Sequence, residues 1–285
     1  MTNILNPILP RDAWLEAVCA TYEGQRLVDL PITMLPDFPS DTMQINTTGQ
    51  AGRPTLKEAH TFYMDCVETF ERLGHPITYS DRLLDFGVGW GRIGRFFLNE
   101  INPENLYGID VDPSFIEVCK KTFSAGHFQA CNPFPPINMP DNQFSFIVGY
   151  SVFSHLSEAA CRAWMKEFHR LLAPNGIVAL TTRGRWFFDF CKSLQNTATE
   201  GYTAALANLF PDFEEVKRRY DAGEIVFTSS DGVSGGGVRG KEFYGETFIP
   251  EAFAKQAFLP HMELIEFQFD QSRQTHPIMF FKHSG

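Results

Sequence analysis

The sequence of 285 residues contains no C-x-x-C pair, no basic stripe and no uninterrupted apolar run of membrane-spanning length. Its six cysteines (Cys19, Cys66, Cys119, Cys131, Cys161 and Cys191) are scattered, which excludes a zinc knuckle or dithiol motif and leaves reduced, mostly core thiols. A formal net charge of −10 argues against a nucleic-acid partner, because phosphate contacts supply most of that affinity and need clustered cations. A membrane span needs roughly 20 apolar residues. The opening stretch MTNILNPILPRDAW lacks both the positive and the apolar region of a secretion signal. The expectation is a soluble, cytoplasmic protein with no membrane partner.

What is present is enough apolar material, 44% of residues against 20% charged, to bury a full core. Residues 1–54, rich in Pro, Asn, Thr and Asp, predict an irregular or partly helical arm. From Leu56 the apolar residues Ala59, Phe62, Tyr63, Cys66, Val67, Phe70 and Leu73 fall on one helical face, until Gly74 and Pro76 stop it. Short apolar strands then alternate with helices, the pattern of a parallel sheet covered on both faces. Strands are expected at 82–87, 105–111, 127–131, 144–152 and 176–183. A helix is expected at 93–99. Another is expected at 157–173, with Ser157 as its N-cap and Pro174-Asn175-Gly176 as its end. Residues 185–247 interrupt the alternation with a helix at 202–220 and a run, Ser229 to Gly237, rich in serine and glycine. The pattern resumes with a helix at 250–258 and strands at 261–269 and 277–282.

The chemistry begins at Leu83-Leu84-Asp85-Phe86-Gly87-Val88-Gly89-Trp90-Gly91-Arg92, a strand running into three alternate glycines and then a helix. Glycine there permits a sharp turn and lets a ligand approach the backbone, with helix N–H groups aimed at it. A dinucleotide fingerprint needs G-x-G-x-x-G, but the third residue after Gly89 is Arg92, so a pyrophosphate-binding dehydrogenase fits poorly. The next strand, Leu106-Tyr107-Gly108-Ile109-Asp110, ends in an acid able to accept two ribose hydroxyls. The Asp112-Pro113 pair reads as an N-cap with proline in the first turn.

Asp85, Gly87, Gly89, Gly91 and Asp110 together resemble the class I S-adenosylmethionine-dependent methyltransferases, whose first motif is D/E-x-G-x-G-x-G after a strand. Asp141 to Val148 and Leu171 to Gly176 extend the likeness, which covers residues 80–184; Ser145 stands where the family has an Asp. The ending, Gln274 to Lys282, resembles members acting on sugars and glycans, although His276-Pro277 replaces their usual Q-D pair. The resemblance implies an α/β, Rossmann-like, seven-stranded and mostly parallel sheet with helices on both faces. It implies four segments: an N-terminal helical arm (1–76), a cofactor-binding core (77–184), an inserted lid between the fifth strand and the following helix (185–247), and an end completing the sheet (248–285). S-adenosyl-L-methionine is the implied cofactor. Its candidate ligands are Asp85, Phe86, Gly87, Gly89, Gly91, Arg92, Asp110, Val111, Asn132, Tyr150 and Ser151.

His155 and Tyr150 are the catalytic candidates. A histidine in the loop after the fourth strand can take a proton from a hydroxyl acceptor. Tyr150 could equally be core, and His155 a structural turn residue. Tyr244 and Glu246 come next. Arg92 and Arg95 could meet the methionine carboxylate, though Arg95 reads more simply as a solvated face. Asn132-Pro133-Phe134 follows the third strand, where it would flank adenine. No cluster of acids and Asn follows the fourth strand, so no metal is expected. Three functions stay open: methylation of a small-molecule or glycan hydroxyl, methylation at nitrogen or another S-adenosylmethionine reaction, and a non-catalytic nucleotide-binding module or nicotinamide enzyme.

Overall fold

The computed structural model describes residues 7–230, 232–233 and 235–283, so Asp231 and Ser234 of the glycine-rich run lie outside the described residues. The chain forms two compact units. The first comprises Met1–Cys131, Asn142–Tyr150 and Leu172–Ile177; the second comprises Asn132–Asp141, Ser151–Leu171 and Val178–Gly285.

In the first unit the arm is more regular than its composition suggests. It holds helices α1 (Arg11–Tyr22) and α2 (Asp41–Thr48) ahead of α3 (Arg53–Arg72). The Ser40 hydroxyl caps α2 by accepting from the Met43 N–H, and Gly49 ends it at a φ of 77°. The expected stripe of α3, from Leu56 to Phe70, is buried. Strands β1 (Leu83–Phe86), β2 (Leu106–Asp110), β3 (His127–Ala130) and β4 (Phe144–Gly149) follow. They pair in parallel, Leu83 registering with Leu106 on one side and Phe146 on the other, and Tyr107 with His127. Helix α5 (Pro113–Thr122) starts as expected, with Asp112 accepting from the Ser114 N–H. Helix α4 (Gly94–Phe97) is a single turn rather than the expected 93–99. Tight turns continue to Ile93 because the glycines before it hold left-handed backbone.

In the second unit α6 (Glu158–Leu171) is capped by the Ser157 hydroxyl and buries Cys161, Trp164, Met165, Phe168 and Leu171. Strand β5 (Leu172–Thr181) follows without a break, its first six residues belonging to the first unit. Pro174-Asn175-Gly176 therefore lies inside a strand instead of terminating a helix. Asn175 adopts a φ of 64°, and a Cβ on Gly176 would come within 2.7 Å of the Leu172 side chain. The residues after β5 hold α7 (Trp186–Ser193), α8 (Gly201–Ala207) and α9 (Phe213–Asp221). The single helix expected at 202–220 is split because Pro211 lacks an N–H and disfavours helical backbone at Phe210; Asp212 then caps α9. Strands β6 (Val226–Thr228) and β7 (Glu246–Phe248) form a small antiparallel sheet that the sequence pattern does not announce. A separate apolar core unites this region through Phe187, Phe188, Leu206, Phe210, Phe213 and Phe248. Helix α10 (Glu251–Ala257) and antiparallel strands β8 (Met262–Gln268) and β9 (Ile278–His283) close the chain, β9 pairing with β5. The seven strands run in the order β3-β2-β1-β4-β5-β9-β8, the mostly parallel α/β architecture expected.

Candidate active site

In the first unit the chain leaves β1 through Gly87, Gly89 and Gly91, at φ values of 71°, 51° and 81°. These are left-handed conformations that a side chain strains. The Ile109 carbonyl accepts from both Gly87 and Val88 N–H groups at 2.9 Å, which ties the turn to the tip of β2. The Asp110 carboxylate is fixed there by two backbone donors, Gly89 N–H to Oδ2 and Asp112 N–H to Oδ1, each at 2.9 Å. A Cβ on Gly91 would lie 2.3 Å from the Phe123 ring, whereas one on Gly89 would meet nothing within 4 Å. Gly91 is thus required by packing, and Gly89 leaves open space in front of the backbone.

Asp85, wholly buried at the end of β1, accepts the Gly94 N–H on Oδ2 at 2.9 Å, while its Oδ1 has no hydrogen-bond partner. Burial pushes its carboxyl up to about 7 against the opposing Gly94 bond, with the Asp110 charge adding to the rise and Arg92 resisting it. Arg92 donates to the Thr55 carbonyl, the Thr55 hydroxyl and the Glu58 carboxylate, and lies 5.0 Å over the Tyr150 ring. Tyr150 is itself buried against Phe62, 5.0 Å away. Phe86 is buried and Val111 half-buried just past β2. Arg95 corrects the sequence reading of a solvated face. Its guanidinium is buried 4.0 Å from the Phe38 ring, beside Trp90 and Phe123, and its donors go to the carbonyls of Gly91, Pro36 and Asp37.

Asn132, Ser151 and His155 belong to the second unit. Asn132 is exposed, and the Pro133 carbonyl next to it accepts from the Trp164 indole at 2.9 Å. Ser151 holds a φ of 59° and donates its N–H to the Thr181 hydroxyl at 2.6 Å. His155 sits in a tighter frame. Its main-chain carbonyl accepts from Gly245, its neighbour Leu156 bridges Tyr244, and its ring stacks on Tyr244 with centroids 5.0 Å apart and planes within 5°. Nδ1 lies 2.7 Å from the Gly245 carbonyl oxygen and 3.3 Å from Glu246 Oε1. Both are acceptors, so Nδ1 carries the proton and Nε2 keeps a lone pair.

Glu246 is fully buried at the start of β7 and gathers further groups that the sequence did not single out. Arg183 Nε donates to its Oε2 at 2.8 Å, and the Tyr202 hydroxyl donates to its Oε1 at 2.5 Å. Arg183 also donates to the Tyr202 oxygen at 3.1 Å and to His276 Nε2 at 3.1 Å, with Phe187 4.1 Å from its guanidinium. Burial alone would raise the Glu246 carboxyl; the His155 ring and the Arg183 guanidinium, both set against it as donors, overcome that and hold the group below the ordinary carboxylate range. Arg183, Tyr202 and His276 lie on separate elements, and no local motif announces them. Among the described residues no group of three or more His, Cys, Asp or Glu side chains could hold a metal ion, and no helix is long and apolar enough to cross a membrane.

The profile of the family described as "Methyltransferase domain" matches residues 84–178, the stretch from β1 into β5. An uncharacterized methyltransferase of Oceanobacillus iheyensis is 27% identical over 155 residues, spanning 50% of this chain and 68% of that protein. Residues 84–178 therefore carry a methyltransferase domain. The fold agrees with that of an S-adenosylmethionine-dependent methyltransferase from Clostridium acetobutylicum, at a TM-score of 0.50 and 12% identity over 80% of this chain and 92% of that one. PKMT2 from Rickettsia typhi, solved in complex with AdoHcy, gives a TM-score of 0.50 at 14% identity over 80% of this chain and 54% of its own.

Proposed function

We propose that this methyltransferase acts on a hydroxyl oxygen of a small-molecule or glycan acceptor, and that His155 removes the acceptor's proton. The observation that carries this reading is the commitment of His155 Nδ1 to the Gly245 carbonyl, which leaves Nε2 as the proton-accepting atom. A net charge of −10 favours such an acceptor over a nucleic acid. S-adenosylmethionine, when bound, supplies a methyl group already activated at its sulfonium.

The first unit suits that cofactor. The unpartnered, buried Asp85 Oδ1 and the open space at Gly89 are features that a polar ligand close to the backbone would complete. Asp110, held by two backbone donors, would take the ribose hydroxyls. Gly87, Gly89 and Gly91 would admit the ligand to the turn, with Asp85, Phe86, Arg92, Val111 and Tyr150 around it. Asn132 and Ser151, in the second unit, are candidates on the sequence alone. Residues 185–247 are proposed as the acceptor-side cover, since they contribute Tyr202, Tyr244 and Glu246.

General-base assistance is worth about 10²–10⁴-fold in rate. His155→Ala should therefore lower kcat by about that factor, with S-adenosylmethionine affinity unchanged. A lowered melting temperature with unaltered kcat per folded molecule would instead make His155 a structural turn residue.

A further inference from the structure

The base assignment leaves a buried ion pair unexplained. Arg183 and Glu246 are both largely withdrawn from water, and burying charge is costly unless every partner is supplied. Each nitrogen and oxygen of the pair has a partner. Glu246 Oε2 takes Arg183 Nε, Oε1 takes the Tyr202 hydroxyl and faces His155 Nδ1, and Arg183 Nη1 and Nη2 donate to His276 and Tyr202. His276 accepts on Nε2 and so keeps its proton on Nδ1, which lies 2.7 Å from the Thr275 hydroxyl. Tyr202 donates to the carboxylate and accepts from Arg183, so its proton is spent inside the network. With both imidazoles neutral, the charges of Arg183 and Glu246 cancel. One added proton on His155 Nε2 makes an imidazolium whose Nδ1–H already points at the Gly245 carbonyl and the Glu246 carboxylate.

We infer that Glu246 is a positioning residue that orients the His155 ring and compensates the charge that ring acquires with the acceptor's proton, while Arg183 and Tyr202 fix the carboxylate in place. This rests on the proposal that His155 is the base. The balance is then complete: the acceptor O–H bond breaks and its proton ends on Nε2, the electron pair left on oxygen forms the new O–CH₃ bond, and the methyl–sulfonium bond breaks with its pair passing to sulfur, which leaves as the neutral thioether. Among the described residues, Tyr244 stacks on the ring and Arg239 lies 5.9 Å from the Tyr244 ring.

The test is a double-mutant cycle on single-turnover methyl transfer by the full chain, with S-adenosylmethionine affinity and melting temperature measured alongside. Glu246→Gln should lower the rate on the order of 10²-fold, the lower end of general-base assistance. Cofactor affinity should stay unchanged. The pH at which the rate falls to half on the acid side should drop, because a ring without its carboxylate takes up a proton less readily. In His155→Ala the further change Glu246→Gln should cost nothing more, since a residue acting through another has no effect once that one is gone. If Glu246→Gln alone fails to fold, the pair Glu246→Gln with Arg183→Met removes both buried charges and should show the same loss. A Glu246→Gln effect that multiplies with that of His155→Ala, or an unmoved pH profile, overturns the positioning role and leaves His155 as base. An unaltered rate in His155→Ala overturns the base assignment and this inference with it.

Discussion

Asp110 and Gly89 are joined by one hydrogen bond yet answer to different physics. The carboxylate's expected ribose contacts are charge-assisted bonds worth roughly 1.5–3 kcal/mol. Asp110→Ala should weaken S-adenosylmethionine binding by about one to two powers of ten without unfolding the chain, and unchanged affinity in calorimetry would remove the ribose assignment. Gly89 stands before open space at a φ of 51°, so Gly89→Val adds backbone strain and fills the room a ligand needs. Its affinity should be lost almost entirely, while Gly91→Ala should act on the fold. There the Cβ meets Phe123 at 2.3 Å and the φ is 81°, so a cost of roughly 1–3 kcal/mol is expected in urea unfolding.

The insertion α7 to β7 is the element whose structure was least legible in the sequence. Strands β1, β2 and β4 announced themselves because burial on both faces makes their residues almost continuously apolar, and α3 and α6 because one face alternates at helical spacing. The glycine turn and Asp110 were legible because turn geometry demands particular residue types at fixed spacing. Residues 202–220 misled because periodicity carried across Pro211. The β6–β7 pair has only three residues a side and is stabilised by distant aromatics rather than by local pattern. The Glu246 network escaped for the same reason: residues 155, 183, 202, 246 and 276 meet only in the fold. Phe188 is fully buried and stacks on Phe248 with centroids 4.0 Å apart. Phe188→Ala should cost about 3–5 kcal/mol within that core. Because Phe248 lies two residues from Glu246 in the same strand, acceptor turnover should fall sharply while cofactor affinity, proposed to reside in the first unit, stays near that of the parent chain. Loss of both together would show the insertion to be a general stabiliser instead of an acceptor-side element.

For the molecule as a whole, the pH dependence of stability sums groups that pull in opposite directions. Glu246 and Glu167, held low in the fold, add stability above the unfolded carboxylate range that is lost as the pH falls through their folded values. The buried His60, lowered first by burial, behaves likewise across the histidine range, because the unfolded chain binds its proton more readily. Asp85 opposes them. Its carboxyl rises from 3.8 to about 7, so between those values the folded chain holds a proton that the unfolded chain has released. Its contribution is complete below 3.8 and fades as the pH climbs through about 7. Asp85→Asn replaces the protonated acid with a neutral group of the same shape that can still accept the Gly94 N–H. In the cofactor-free protein, urea unfolding of the two chains at a series of pH values isolates this one group, since every other titration is shared. The stability of Asp85→Asn relative to the parent should rise steadily from pH 4 to pH 7, by up to about 4 kcal/mol at about 1.36 kcal/mol per unit. A difference that stays flat across that range would mean that Asp85 is ionised in the fold at pH 4, and that the pocket around Oδ1 already satisfies its charge.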